Sequence, residues 1–112
     1  MPLINVRMSI PRPENADALL RDLSATLADQ TGKPEAYVMT MLESDVPMTF
    51  AGSNDPCVFI EIRSIGALKP PSMTSAFSTL VHDKTGIALN RIYVAFDNVN
   101  ASDWGWNGST FG

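Results

Sequence analysis

The sequence predicts an α+β fold in which two βαβ units form a four-stranded mixed sheet, with two helices on one face. Stretches of alternating apolar and polar residues are followed by stretches with apolar residues at helical spacing, which indicates strands joined through helices. The chain also contains an internal repeat: Asp29-Gln30-Thr31-Gly32 ahead of Tyr37-Val38 is echoed by Asp83-Lys84-Thr85-Gly86 ahead of Tyr93-Val94. Parallel strands joined by a helix need a crossover connection, and two such units can share one sheet. We therefore expect a single domain over residues 1–112, with repeats of about 1–55 and 56–112.

The first repeat is predicted to contain a strand, a helix and a second strand. Leu3–Ile10 alternates in polarity, which is typical of a strand with one face in the core. Apolar residues at helical spacing predict a helix over Asn15–Thr31, with the Asn15 side chain as its N-cap. Gly32 supplies the left-handed residue that ends this helix. Tyr37–Glu43, rich in β-branched, aromatic and methionine residues, predicts the second strand.

The second repeat has the same order of elements. After a connection with a short strand around Met48–Phe50, Cys57–Ile65 alternates and is the clearest strand of the chain. A helix is predicted from Pro70 to Gly86, because two prolines suit its first turn and a glycine its end. Ile92–Asp97 predicts a further strand. Residues 104–111 are predicted to form an irregular tail with a short edge strand.

Two helices on one face leave the other face of the sheet uncovered. That face is mixed in polarity, and burial against other subunits around a channel or pocket would account for its composition. We therefore expect a cyclic oligomer, the alternative being a monomer with a solvent-facing sheet. The residues assigned to the uncovered face are Leu3, Asn5, Arg7, Phe59, Glu61, Arg63, Ile65 and Tyr93.

Composition excludes several classes of function. The chain has 112 residues and a net charge of −4, with eight Lys and Arg among twelve Asp and Glu, so it lacks the basic surface that nucleic acid binding needs. Cys57 and His82 are the only residues of their types, which rules out an intrachain disulfide and a cysteine or multi-histidine metal site. No apolar run approaches membrane-spanning length. We expect a cytoplasmic protein with no metal, no cofactor and no membrane contact.

The N-terminus is the best candidate for a catalytic base. If Met1 is removed, Pro2 exposes a secondary amine at the head of a buried strand. Burial lowers the pKa of an amine toward the range in which it acts as a base at neutral pH. Most proteins that begin with Met-Pro make no chemical use of the proline, so the remaining residues have to support this interpretation.

Three further places could contact a substrate, and each also has a purely structural interpretation. Lys33 follows a helix end, where it either binds an anion or complements the helix dipole. Ser64 and Ile65 end the central strand, where the Ile65 amide is expected to lack a partner in the sheet. Aromatic residues are either ligand contacts or parts of the core and of interfaces; they are Tyr37, Tyr93, Trp104, Trp106 and Phe111.

An ordered set of short motifs resembles the macrophage migration inhibitory factor family of the tautomerase superfamily. The resemblance covers essentially the whole chain without large insertions. Its motifs are Met1-Pro2, Thr31-Gly32-Lys33-Pro34 with Tyr37, Met48-Thr49-Phe50 with Gly52-Ser53, Pro56-Cys57, Ser64-Ile65-Gly66, Asn90-Arg91-Ile92-Tyr93 and Gly105-Trp106-Asn107-Gly108-Ser109-Thr110-Phe111.

The resemblance implies a homotrimer with active sites between subunits and keto-enol tautomerase activity on α-keto acids such as phenylpyruvate, and on dopachrome-type substrates. It implies Pro2 as the general base and Lys33 and the Ile65 amide as ligands of the substrate carboxylate. Lys33 would also polarise the keto oxygen, and Tyr93 would come from the neighbouring subunit. The other residues expected to bind substrate are Ser64, Tyr37, Trp104 and Phe111.

Three positions depart from the family pattern. Ile60 replaces the second cysteine of members with redox activity, so thiol-disulfide chemistry is not expected. Ala95 replaces a pocket asparagine, and Trp104 replaces a smaller aliphatic residue, which alters the shape and polarity of the pocket. The alternative function is a cytokine-like binding or signalling protein with a vestigial or weak tautomerase pocket. Secretion without a signal peptide is the alternative to a cytoplasmic location. No residues specifically support binding to a receptor.

Overall fold

The computed structural model describes residues 1–112 and contains a four-stranded mixed sheet and two α-helices. The elements of the two repeats are β1 (Pro2–Met8), α1 (Ala16–Thr31), β2 (Met39–Glu43), β3 (Val58–Ser64), α2 (Pro70–Thr85) and β4 (Ile92–Asn98). The strand order is β2-β1-β3-β4. Within each repeat the two strands are parallel, and β1 and β3 join the repeats in antiparallel pairing. The predicted fold class is confirmed.

The core lies between the helices and one face of the sheet. Alternate residues of β1 and β3 point into this layer and are fully buried, because successive strand residues face opposite sides of a sheet. They meet buried residues of α1 and α2 at helical spacing, including Leu23 and Phe77. The strand residues are Ile4, Val6, Met8, Val58, Ile60 and Ile62.

The opposite face of the sheet is covered by no element of the chain, as predicted. The strand register places Arg7 beside Phe59, and Phe59 beside Tyr93, across this face. Its polar residues pair with one another: Asn5 Nδ2 and Arg7 Nε donate to Glu43 Oε2 at 2.7 and 2.8 Å. These bonds lower the pKa of the Glu43 carboxyl, with the Asn5 bond the larger cause. The face is therefore a mixture of ion pairs and exposed apolar side chains.

The strand and helix ends differ from the predictions by a few residues. β1 stops at Met8 rather than Ile10, because the Ile10 carbonyl accepts a bond from the Asp45 amide outside the sheet. β3 is one residue shorter at each end than Cys57–Ile65. Tyr37 lies in a 3-10 turn, Glu35–Tyr37, so β2 begins at Met39.

The predicted N-cap of α1 is wrong in its mechanism. Asn15 occupies the N-cap position, but its side chain makes no capping hydrogen bond. Instead Asn15 Nδ2 donates to the Lys84 carbonyl at 3.3 Å, near the end of α2. The Asn15 side chain therefore makes a tertiary hydrogen bond instead of the local capping bond that the sequence predicts. The predicted C-terminal ends are correct, since Gly32 and Gly86 both adopt the left-handed conformation there.

Two short strands were misplaced by the sequence pattern. Residues 48–50 form no strand; Phe50 only bridges to Ser53 in a tight turn. The tail joins no edge of the main sheet, and forms its own hairpin from β5 (Gly105–Trp106) and β6 (Ser109–Thr110). Neither helix is long and apolar enough to cross a membrane, and no group of three or more His, Cys, Asp or Glu could hold a metal ion.

Candidate active site

An aromatic pocket lies at the N-terminus of β1. Its volume is about 150 Å³, and its walls come from the N-terminus, the segment before and at the start of β2, and the C-terminal tail. Every lining residue is hydrophobic: Met1, Ala36, Tyr37, Val38, Met39, Trp104, Trp106 and Phe111. The structure therefore brings together three of the predicted residues, Tyr37, Trp104 and Phe111, from distant parts of the chain.

The C-terminal hairpin carries the aromatic wall of this pocket. Asn107 and Gly108 both have positive φ, at 52° and 84°, which matches the two-residue turn that an Asn-Gly pair favours. The turn places Trp106 parallel to Phe111, at 7° with ring centroids 6.1 Å apart, and edge-on to Tyr37 at 5.6 Å. Offset and edge-on contacts are the favourable arrangements of aromatic rings. These contacts attach the tail to the segment that precedes β2.

Pro2 follows Met1, which lines this pocket, and lies opposite Ser64. The two residues are cross-strand partners in the antiparallel pairing of β1 with β3, and both are buried. The Ser64 hydroxyl is fully buried and has no hydrogen-bond partner in the chain. An unpartnered polar atom is costly inside a protein, so such a group is expected to meet a partner in the functional state.

Lys33 lies near the N-terminal amine. The left-handed Gly32 ends α1, and the Lys33 amide donates to Thr31 Oγ1 at 3.3 Å, which fixes the backbone from which the side chain extends. Burial, and then the positive charge of Lys33, lower the pKa of the Met1 α-amino group below its ordinary value of 8.0. Lys33 forms no ion pair with any carboxylate of the chain. Its charge thus remains available to an anion.

The Ile65 amide is free to donate, as the sequence predicted. The Ser64 carbonyl before it accepts a bond from the Val99 amide at 2.9 Å, and the Gly66 amide after it donates to Asn98 Oδ1 at 3.0 Å. No backbone or side-chain acceptor of the chain receives the Ile65 N–H itself. The central strand therefore ends beside Pro2 with one unpaired donor.

Tyr93 is the predicted residue that the single chain does not bring to this site. Its register partner on β3 is Phe59, whereas Pro2 pairs with Ser64, five residues further along the strand. At the rise of an extended chain this is a separation of about 17 Å. Tyr93 packs against Phe50 with ring centroids 4.6 Å apart and is 64% exposed. It is accessible from outside the chain, at the other end of the uncovered face.

Reasoning from the sequence left out part of the pocket. The sequence pattern does not assign Trp106 to the site, and it predicts Met39 only as a strand residue, yet both line the pocket. The Asn107-Gly108 pair was the signal for Trp106, because it predicts a hairpin in which Trp106 and Ser109 are paired. No local signal places Met39 at the pocket, since its position depends on the pairing of β2 with β1.

Comparison with known proteins places this geometry in a family. The family model described as macrophage migration inhibitory factor matches residues 1–112. The macrophage migration inhibitory factor of Meriones unguiculatus is 37% identical over 99% of both chains. The homologue from Brugia malayi is 36% identical over the full length of both.

Solved structures agree with the sequence comparisons. The crystal structure of a macrophage migration inhibitory factor homologue from Prochlorococcus marinus has a TM-score of 0.94 and 45% identity, covering 98% of this chain and 99% of that one. The protein from Toxoplasma gondii has a TM-score of 0.88 and 35% identity, covering 97% and 99%. Both proteins therefore share with this chain a similar sequence over nearly its whole length, as well as the same fold.

Proposed function

This chain belongs to the macrophage migration inhibitory factor family, and on that premise we propose that it is a keto-enol tautomerase of α-keto acids such as phenylpyruvate. The observation that carries the proposal is the grouping at one end of β1: the buried Pro2, an unpaired lysine, a free backbone amide and an aromatic pocket. Each has a counterpart in an aromatic α-keto acid.

Pro2 is the base of the proposed reaction. While Met1 is attached, the Pro2 nitrogen is a tertiary amide with no basicity, so Met1 has to be removed first. The pKa of the Met1 α-amino group, one residue before Pro2, is lowered by burial and then by the charge of Lys33. We expect the same two causes to act on the free Pro2 amine. A lowered pKa keeps more of the amine neutral, which is the form that accepts a proton.

Lys33 and the Ile65 amide bind the acid end of the substrate. Pro2 takes a proton from the carbon next to the keto group, and the electron pair of that C–H bond moves toward the keto oxygen. The positive charge of Lys33 stabilises the enolate, and the proton returns to oxygen to give the enol. No atom is gained or lost. Both donors are unpaired within the chain, so neither has to break an internal bond to act.

The aromatic pocket holds the ring of the substrate, and Tyr93 completes the site from a second subunit of a homotrimer. The exposure of Tyr93 and its distance from Pro2 within one chain support a contribution between subunits. The uncovered face of the sheet supplies the surface for assembly.

The test compares wild type and Pro2→Gly, both with Met1 removed as verified by mass spectrometry. We expect phenylpyruvate enolisation to fall about 100-fold or more in the variant, the usual contribution of a positioned general base. Circular dichroism and sedimentation should match the wild type. Wild-type protein that retains Met1 serves as a second control and should be inactive. Equal rates in the two processed proteins would reject the proposal in favour of the cytokine-like alternative.

A further inference from the structure

A tight turn over residues 50–53 lies beside Tyr93. The Phe50 amide donates to the Ser53 carbonyl at 2.9 Å, and the Ser53 amide donates to the Phe50 carbonyl at 3.0 Å. The two central residues both have positive φ, 53° at Ala51 and 73° at Gly52, which matches a two-residue turn of type I′. The two reciprocal bonds fix the backbone of Phe50 relative to Ser53.

Ala51 makes this turn costly in free energy. The Cβ atom disfavours the left-handed region, and alanine has no polar side chain to compensate, as asparagine or aspartate would. Strained backbone of this kind persists where surrounding contacts enforce it, and it is concentrated at functional sites. Here the contacts come from Arg91, which donates to the carbonyls of Phe50 at 2.8 Å and Ser53 at 3.3 Å. The turn is therefore held in place despite its cost.

The ring of Phe50 connects this fixed turn to Tyr93. The two ring centroids are 4.6 Å apart and the ring planes are tilted by 56°, a favourable arrangement for an aromatic pair. Phe59 is the neighbour of Tyr93 across the strands, but the ring of Tyr93 pairs with that of Phe50. Since Tyr93 is otherwise largely exposed, the Phe50 contact is the main restraint on the orientation of its ring.

This contact depends neither on Met1 nor on an empty sheet face. Phe50 and Tyr93 belong to the same chain, and Tyr93 lies about 17 Å along the strand from Pro2 of that chain. Removal of Met1 therefore leaves the pair unchanged. A subunit that covers the exposed side of the Tyr93 ring adds contacts there, while Phe50 stays on the side that its own chain already occupies.

We propose that Phe50 is a positioning residue for the active site of the neighbouring subunit. It holds the Tyr93 ring in the orientation in which Tyr93 meets the substrate bound at Pro2 of that subunit. This inference rests on the proposed function, since it concerns the residue that completes the site in the homotrimer. No residue of the 50–53 turn lines the aromatic pocket of its own chain, so the turn acts on the next chain only.

A double-mutant cycle on the binding of an unreactive acid tests the proposal without depending on turnover. Isothermal titration calorimetry would measure the dissociation constant of 3-phenylpropionate for processed wild type, Phe50→Leu, Tyr93→Ala and the double variant. We expect Phe50→Leu to weaken binding about three- to tenfold, the range that the contact energy of one aromatic pair allows. In the Tyr93→Ala background it should change binding by less than about twofold, because Phe50 acts through Tyr93.

Phe50→Tyr is the matched control, because it keeps an aromatic ring on the same backbone. It should bind the acid within about twofold of wild type. Circular dichroism and sedimentation should show that each variant is folded and assembled like the wild type. Wild-type affinity in Phe50→Leu would overturn the proposal, and so would equal weakening by Phe50→Leu with and without the Tyr93 side chain.

A spectroscopic measurement decides the matter if Tyr93→Ala fails to fold or assemble. Tyr37 and Tyr93 are the two tyrosines of the chain, so labelling with 3-fluorotyrosine gives two fluorine NMR resonances, which Tyr37→Phe assigns. Saturating 3-phenylpropionate should shift both in the wild type, since Tyr37 lines the pocket and Tyr93 would enter it from the next chain. In Phe50→Leu the Tyr93 shift should shrink while the Tyr37 shift stays. An undiminished Tyr93 shift would overturn the proposal.

Turnover of phenylpyruvate by the same proteins separates this inference from the proposed function. A processed wild type no faster than Pro2→Gly, together with a non-additive binding cycle, would reject tautomerase activity and keep the role of Phe50. An active wild type with an additive cycle would keep tautomerase activity and overturn the role of Phe50.

Discussion

Lys33 carries a positive charge that no carboxylate of the chain neutralises. Its side chain is half-buried beside the N-terminal amine, and it is the second cause, after burial, of the lowered pKa there. The same lysine can therefore act twice in the proposed reaction. In the proposed reaction it would attract the substrate carboxylate, and it would lower the pKa of the Pro2 amine, as it lowers that of the Met1 amine, by disfavouring a second positive charge nearby.

Replacement of Lys33 by methionine should raise the pKa of the Pro2 amine. The neutral amine is the active form, so kcat/KM falls as pH drops through this pKa, and a raised pKa moves that fall to higher pH. The plateau should also drop about 10- to 100-fold, the loss of one charged hydrogen bond. The pH profile of kcat/KM checks both effects.

Lys33→Arg is the control, because it retains the positive charge, and it should keep the inflection of the pH profile near its wild-type position. An inflection that stays in place in Lys33→Met would contradict the electrostatic role of Lys33.

At the scale of elements, Arg91 connects β4 to the loop before β3. Its guanidinium donates to four backbone carbonyls of that loop, with the shortest bonds, 2.8 Å, to Phe50 and Asp55. The guanidinium also lies 5.0 Å from the centre of the Phe50 ring, which packs against Tyr93. A planar fork of several donors suits this arrangement, which a single ammonium group cannot reproduce. Arg91 thus sets the position of the loop and, through Phe50, of Tyr93.

Arg91→Met should destabilise the fold by roughly 1–3 kcal/mol, because the loop loses hydrogen bonds to a charged donor, including those to the partly buried carbonyls of Phe50 and Ser53. Arg91→Lys should recover only part of this loss. Urea denaturation measures the change in the free energy of unfolding. Arg21→Met is the control: Arg21 is exposed and makes no hydrogen bond or ion pair, so its replacement should stay within about 0.5 kcal/mol of wild type. A stability of Arg91→Met equal to that of the control would show that the loop does not depend on this residue.

At the scale of the whole molecule, the proposed function requires Tyr93 of one chain to come close to Pro2 of another. Pro2 is buried at the start of β1, whereas Tyr93 is exposed at the start of β4, and within one chain the register keeps them apart. Both edge strands of the sheet also expose large apolar side chains, including Met39 and Tyr93. Exposed apolar surface at two edges and one face is what a cyclic assembly would bury.

Sedimentation at micromolar concentration should give three times the chain mass of 12.2 kDa. Coexpression of Pro2→Gly with Tyr93→Phe should then restore activity that neither variant has alone, because some sites combine Pro2 from one chain with Tyr93 from the other. Random mixing of equal amounts makes about a quarter of the sites intact in a cyclic assembly. Activity equal to the mean of the two pure variants would place both residues in the same chain's site or remove Tyr93 from catalysis.

Local patterns in the sequence were sufficient to predict the two helices, the four strands of the main sheet and the fold class. Alternation predicted β1 and β3, helical spacing predicted α1 and α2, and Gly32 and Gly86 marked the helix ends, because each of these signals depends only on neighbours within a few residues. The free Ile65 amide also followed from the end of a strand. Local patterns failed at three places: no strand forms at residues 48–50, the Asn15 side chain makes no capping bond, and the tail folds into a hairpin at Asn107-Gly108 rather than an edge strand of the main sheet.

Only the tertiary structure decided which residues meet. The antiparallel register sets Pro2 opposite Ser64 and keeps Tyr93 about 17 Å along the strand. The folded tail brings Trp106 to the N-terminus, and the packing of α2 beside α1 draws the Asn15 side chain away from its expected cap. These contacts join residues far apart in the chain, and short-range periodicity carries no information about them.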